Sequence, residues 1–434
     1  MAIRFLGVDL SEGVGPRHLL AYLLVALISS GYAGAMSVLQ PGLLQVMGIA
    51  FEEQGRVTGQ LSALQEVVLI FTLGPIGALA DRIGRRTVYV AGLLLTALGF
   101  AIYPFAQDIW QLVGFRIVVA LGGAAMLGMM VTVIADYTRN STRGKANGLQ
   151  GLVATLGAFI PPLLAGLPAY FVAAGASELS AQQYTFGVAA SLGTVGAIIA
   201  ALGLSTAAGR ASSAAATRFA DILRDGFGAA REPGIALSYG AAFISRGDLA
   251  ITGAFVFLWL VQIGVDRGMS PSEAMGALAA PRVLVVVVGA MVGALLMGYL
   301  ADRVRKVTAV MLASGMASAV YLAMGFVEDI SASWVFALLA MMGIAEISAF
   351  VGSQALVGQR ARPDRRGAII GFFGVAGAAG ILVGTMSGGI LFDTVRPSAP
   401  FLLFGVLNAA VFVWSITVRA REAALPEPAY EGAE

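Results

Sequence analysis

Six charged side chains interrupt long apolar runs and are the first candidates for chemistry. They are the acids Glu66, Asp248 and Glu346 and the arginines Arg116, Arg246 and Arg282. An ionisable group at bilayer depth costs several kcal/mol unless it is paired or wetted, so each is a functional candidate by default. A carboxyl in a dry cavity resists ionisation, so it can take a proton on one side and release it on the other. The three acids are therefore the expected proton carriers. The three arginines are expected to partner them or to hold an anionic substrate. Arg246 and Asp248 lie two positions apart and face different sides of a regular helix; which of them meets a cavity stays open. Tyr32, Gln40, Gln65, Tyr239 and Asn408 are expected to add polar and aromatic surface for a substrate.

These groups need a scaffold that holds them inside a membrane, and the composition supplies it. The chain has 434 residues, 58% hydrophobic and only 12% charged. A soluble domain needs about twice that charged fraction, so the chain is read as an integral membrane protein. Cysteine is absent and His18 is the single histidine. That excludes disulfides, zinc clusters and Ser-His-Asp triads. No Walker-type phosphate loop occurs either, so ATP-driven transport and enzyme chemistry are both disfavoured and no cofactor is expected. Residues 1–17 are mixed in character and lack the pattern of a cleavable signal.

A span needs about 20 apolar helical residues. On that measure twelve spans are expected, at 18–48, 55–80, 87–106, 109–135, 145–173, 184–207, 235–264, 273–300, 307–327, 332–357, 368–392 and 399–418. Nearly all Lys and Arg fall on one side of them; the other side holds Arg56, Arg267 and Arg396. The positive-inside rule makes the crowded side cytoplasmic, with both termini inside, and a bacterial inner membrane is the expected location. Residues 208–234 break the rhythm. Phe219, Ile222, Leu223 and Phe227 recur there at helical spacing, which predicts a linker with a short amphipathic helix on the membrane surface. The domains expected are a six-helix bundle over 1–207, that linker, a second six-helix bundle over 235–420, and a disordered acidic tail over 421–434. Trp110, Trp259 and Trp334 read as interface anchors, and 174–183 as a short outer loop.

Gly77-Ala-Leu-Ala-Asp81-Arg82-Ile-Gly84-Arg85-Arg86 joins two spans, and Gly298-Tyr-Leu-Ala-Asp302-Arg303-Val-Arg305-Lys306 repeats it 221 residues later. Arg143-Gly144-Lys145 and Arg366-Gly367 open spans five and eleven at nearly the same offset. The chain is thus two six-span halves related as a parallel repeat.

With these residues in place, the chain resembles the major facilitator superfamily of secondary transporters. The first charged turn fits every fixed position of that family's loop pattern, G-x-L-x-D-R-x-G-R-[RK], while the second copy lacks the later Gly. The resemblance implies an all-α fold of two six-helix bundles. It also implies a gating role for the turn, in which Gly77 admits a close neighbour and Asp81 latches against span eleven. Arg82, Arg85, Arg86, Asp136, Arg143, Asp302 and Arg303 are expected at the same gate. Arg116 with Gly122 and Gly123 is similar to the family's span-four pattern with a buried arginine. Gly148, Gly157, Pro162 and Gly166 resemble the antiporter pattern of span five, although Pro161 and Ala165 replace glycines. The expected function is alternating-access transport of a small organic solute coupled to protons, leaning to efflux by antiport. The alternative is import of an organic anion by proton symport. Expected partners are the solute, protons and the lipid bilayer, with no nucleic acid, and the working form is expected to be a monomer.

Overall fold

Among the described residues of the computed structural model, 3–206, 219–362 and 365–422, twelve helices are long and apolar enough to cross a membrane. They are α1 (Pro16–Val46), α2 (Phe51–Ile83), α3 (Arg85–Phe105), α4 (Ile109–Tyr137), α5 (Arg143–Ala173) and α6 (Glu178–Gly203) in the first half. The second half holds α7 (Pro233–Asp266), α8 (Pro271–Ala301), α9 (Lys306–Gly325), α10 (Val335–Arg360), α11 (Arg366–Thr394) and α12 (Ala399–Arg421). The linker helix, Phe219–Ala229, lies between the halves in sequence. Residues 208–218 of the expected linker and 423–434 of the expected tail fall outside the described residues.

Local chemistry explains most helix boundaries. Gly84 ends α2 and starts α3 at φ 96°, a left-handed conformation that glycine adopts without a Cβ penalty. Its counterpart in the repeat, Arg305, stands at φ −55° and precedes α9 by an ordinary turn. α6 begins earlier than expected because the Ser177 hydroxyl accepts from the Ser180 N–H at 3.2 Å and caps it, so the α5–α6 loop is only a few residues long. α5 is interrupted twice, after Gly157 and after Ala165, with Pro161, Pro162 and Pro168 at the restarts. Proline has no N–H to donate and fits a first helical turn. α7 carries a π-helical turn at Thr252–Val256.

The chain divides into two compact units. The first comprises Met1–Ala50, Leu64–Ala214 and Gly264–Pro281; the second comprises Phe51–Ala63, Ala215–Ile263 and Arg282–Glu434. Within the first, α3 and α4 approach through small residues. A Cβ on Gly92 would stand 2.7 Å from the Met126 nitrogen, and one on Gly99 3.0 Å from that of Val119. Membrane helices pack this way because, without a hydrophobic drive between them, close backbone contact provides the attraction. Within the second, Gly343 meets the Val286 carbonyl across α8 and α10 in the same manner. The first turns of α2 belong to the second unit for a specific reason. Asp393, near the end of α11, accepts from the backbone N–H groups of Gly55 at 2.9 Å and Arg56 at 2.6 Å.

Three local features differ from the sequence reading. Residues Arg4–Phe5 and Val8–Asp9 form a β-hairpin, which is too short for any hydrophobic alternation to announce. It is fastened to the α4–α5 turn: Arg139 N–H donates to the Asp9 carbonyl at 3.0 Å, and Asp9 N–H to the Thr142 hydroxyl at 2.9 Å. Trp259 is no interface anchor. It is 5% exposed and stacks on Phe401 at 6.3 Å, whereas Trp110 and Trp334 are exposed. The linker helix is tied to a bundle: Gly226 sits against the Phe372 side chain and the Ala368 carbonyl of α11, and Phe227 meets the Phe372 ring at 5.9 Å.

Candidate functional site

Unit one buries a cation. Arg116, on α4, is 4% exposed, and its Nη1 donates to Gln40 Oε1 at 3.3 Å. The Tyr103 hydroxyl donates to the same oxygen at 2.9 Å, and its ring stacks on Phe186 at 5.7 Å. Arg116 Nε has no hydrogen-bond partner among the described residues, and neither has Gln65 Oε1 on α2. A buried polar atom without a partner costs about 1–3 kcal/mol. Among the described residues Arg116 forms no ion pair with a carboxylate. Its partners are an amide and a phenol.

Unit two buries acids. Asp248, on α7, is 0% exposed, and Asn408 of α12 donates to both of its carboxyl oxygens at 3.0 Å. Asn408 also donates to the Phe404 carbonyl, which fixes the amide. Glu346, on α10, is 5% exposed; the Tyr321 hydroxyl of α9 donates to its Oε2 at 3.4 Å. That hydroxyl lies 2.8 Å from the Thr252 hydroxyl, where the π-helical turn of α7 starts. π-bulges of this kind recur at functional sites because the extra residue redirects side chains. Four helices thus bring two carboxyls, an amide, a phenol and a hydroxyl into one interior. Among the described residues no arginine or lysine pairs with either acid. Burying an unpaired carboxylate costs several kcal/mol, which uptake of a proton removes. The arrangement suits a group that binds and releases protons.

The other expected site residues take different places. Arg246 turns away from Asp248, as the spacing requires; it is half-buried over the Phe350 ring at 5.0 Å and beside Gly377. Arg282 donates to the Ser331 carbonyl and lies over the Phe336 ring at 4.6 Å, so it fastens the turn between α9 and α10. Tyr239 donates to the Gly226 carbonyl at 3.0 Å, which spends its hydroxyl on the linker helix. The Tyr32 hydroxyl donates to the Ala189 carbonyl, and its ring meets Phe100 at 4.9 Å. Glu66 is half-buried on α2. Sequence reasoning missed Tyr103, Thr252 and Tyr321. Each is an ordinary residue in an apolar run, and only the pairing of helices gives it a partner.

At the arginine-rich end, Asp81 pairs with Arg85 at 3.1 Å, and Arg85 pairs also with Asp136. Arg86 donates to the carbonyls of Ala201 and Leu204. These contacts lie within unit one. Gly77 was expected to admit a close neighbour, yet among the described residues nothing comes within 4 Å of where its Cβ would stand. Arg82 and Arg143 are exposed. In the repeat, Asp302 lies 3.8 Å from Lys306, and Arg303 lies over the Tyr299 ring at 3.6 Å.

Comparison with known proteins agrees with this architecture. Magnetosome protein MamH of Paramagnetospirillum magneticum is 25% identical over 94% of this chain and 93% of its own length. Tetracycline resistance protein, class B, of Escherichia coli is 29% identical over 33% of this chain and 35% of its own. The crystal structure of the D323A mutant of nucleoside transporter NupG superposes with a TM-score of 0.74 over 92% of this chain and 99% of that one; at 13% identity the likeness concerns the fold alone. The pattern described as Major Facilitator Superfamily matches residues 19–286 and 234–432. Twelve spans, two matched halves and a full-length structural counterpart converge: the chain belongs to the Major Facilitator Superfamily of membrane transporters and is a transporter, not an enzyme.

Proposed function

We propose that the chain moves a small organic solute by alternating access, driven by protons, and that it works as an exporter by proton antiport. The observation that carries the reading is the interior of unit two, where Asp248 and Glu346 are buried with hydroxyl and amide partners and, among the described residues, no cation. Each proton bound there removes a buried charge, which gives the fold two states of different cost. The arginine-rich end faces the cytoplasm of a bacterial inner membrane, on the distribution of Lys and Arg.

Two further features support export of an organic solute. Span five keeps most of the small-residue and proline pattern shared with antiporters. The partial similarity to a protein named for tetracycline resistance adds a precedent for a small organic molecule. MamH is named for the magnetosome, a name that specifies no cargo. Arg116 favours a second reading, import of an organic anion, because its Nε is a buried donor without a partner.

Proteoliposomes with an imposed pH gradient and an internal pH dye separate the two readings. Antiport predicts proton movement opposite to a neutral or cationic solute; symport predicts movement together with an organic acid. Solute flux that leaves the dye unchanged in both arrangements would defeat proton coupling.

A further inference from the structure

Two hydroxyls connect Glu346 to the backbone of α7. The Tyr321 hydroxyl donates to Glu346 Oε2 at 3.4 Å and stands 2.8 Å from the Thr252 hydroxyl, and Thr252 also reaches Glu346 itself. The three side chains form a triangle between α7, α9 and α10. All three are buried, so their polar atoms have to satisfy one another. The Tyr321 ring packs on Phe401 at 6.3 Å, which holds its hydroxyl in place. Asp248 acts on Glu346 from the same helix as Thr252. Of the nearby cations, Arg246 of α7 lies over Phe350, one turn along α10, and Arg282 of α8 is held at the Ser331 carbonyl.

A hydroxyl has one hydrogen to give and lone pairs to receive, so its bonds follow the charge of its neighbours. Against an ionised Glu346 both hydroxyl hydrogens point towards the carboxylate. Tyr321 donates to it, and Thr252 donates to Tyr321 or to the carboxylate. A protonated Glu346 becomes a donor instead. It gives its hydrogen to Tyr321, Tyr321 gives its own to Thr252, and the Thr252 hydrogen turns away. No proton leaves Glu346 in this rearrangement; only hydrogen bonds change direction.

The Thr252 hydrogen has a place to go. In a helix a threonine hydroxyl reaches the carbonyls three and four positions earlier, here Leu249 and Asp248. The Thr252 N–H already donates to those two carbonyls, at the point where the α-helix gives way to the π-helical turn Thr252–Val256. A second donor at either carbonyl competes with that bond and bends the helix. The turn has room to respond, because a Cβ on Gly253 would meet nothing within 4 Å.

We propose that Tyr321 and Thr252 carry the protonation state of Glu346 into α7 by turning the Thr252 hydroxyl between the carboxyl and the helix's own backbone. Both are positioning residues, and the inference rests on the reading that Glu346 takes up protons. Proton uptake then changes the bend of α7 in the turn next to Asp248, which supplies a mechanical step for alternating access.

The test follows hydrogen exchange of peptides covering 249–256 in the purified full chain in lipid nanodiscs, with infrared titration of the Glu346 carboxyl band alongside. Exchange is compared at one pH, above the midpoint of that band. Glu346→Gln stands in for the protonated acid, because its amide donates as the acid does. It should change exchange across 249–256 roughly fivefold, the worth of one hydrogen bond. In the Tyr321→Phe and Thr252→Val backgrounds the same replacement should have no effect there, whereas Thr252→Ser should keep it. The Glu346 band should still titrate in each background. Should Tyr321→Phe fail to fold, the contrast between Thr252→Val and Thr252→Ser decides alone. An equal response to Glu346→Gln in all backgrounds, or none in the wild-type background, would overturn the proposal while leaving proton uptake at Glu346 intact. A wild type without a pH-dependent Glu346 band would overturn both.

Discussion

The two units treat buried charge in opposite ways. Unit one holds Arg116 against Gln40 and Tyr103, a cation with neutral partners. Unit two holds Asp248 against Asn408 and Glu346 against Tyr321, acids with neutral partners. A repeat that placed an acid opposite each arginine would make closed, self-satisfied ion pairs. Here each sign is left with amides and hydroxyls, which hold the side chain in position without neutralising it. On the proposed function, unit two exchanges protons and unit one offers a fixed positive charge to a solute. The comparison teaches that the repeat conserves helices, not chemistry.

The largest expected break comes from the acids. Neutralising both, as Asp248→Asn with Glu346→Gln, should abolish gradient-driven accumulation in proteoliposomes, at least tenfold, while leaving exchange without a gradient. In unit one, Arg116→Ala should weaken binding of anionic solutes by about 10–100-fold, in line with the 1.5–3 kcal/mol of a hydrogen bond to a charged group. Neutral solutes should be spared; equal losses measured by ligand-induced thermal shift would make Arg116 structural. Asn408→Leu tests the support of Asp248. It leaves the carboxyl buried without its donor and should lower stability by about 1–3 kcal/mol. Adding Asp248→Leu should recover part of that loss, because an apolar pair replaces a half-satisfied one.

The smallest contrast lies in the two charged turns. Gly84→Ala places a Cβ at φ 96° and should cost roughly 1 kcal/mol. Arg305→Gly, at the matching position with φ −55°, relieves no left-handed strain and should change the thermal midpoint by no more than the loss of one half-buried arginine's own contacts. Equal costs would mean that the two turns are built alike.

Much of this architecture is legible in the sequence. Each span is a long apolar run broken by charge, and Asp248, Glu346 and Arg116 stand out because a charge in such a run is costly unless it is paired or wetted. Asn408 and Gln40 stand out as polar residues, but the sequence does not pair either with its charge. Asn408 and Tyr321 meet the acids from two other helices, α12 and α9, and nothing along the chain encodes which face of either turns inward. Arg282 shows the converse: a charge in an apolar run turned to a backbone carbonyl at a helix end, which spacing alone cannot tell from a central site. Trp259 was misplaced for the same reason, since a tryptophan near a span end reads alike whether it meets headgroups or Phe401. The N-terminal hairpin, two residues to a strand, is held by the α4–α5 turn and has no periodicity of its own.

The central claim, that the acids of unit two are the groups that titrate, is tested most directly by infrared difference spectroscopy of the protein in lipid across pH. No substrate is needed. The account predicts a carboxylic-acid carbonyl band that changes with pH in the wild type, shrinks in Asp248→Asn and in Glu346→Gln, and is lost in the double variant. A pH-dependent band of unchanged size in the double variant would contradict it.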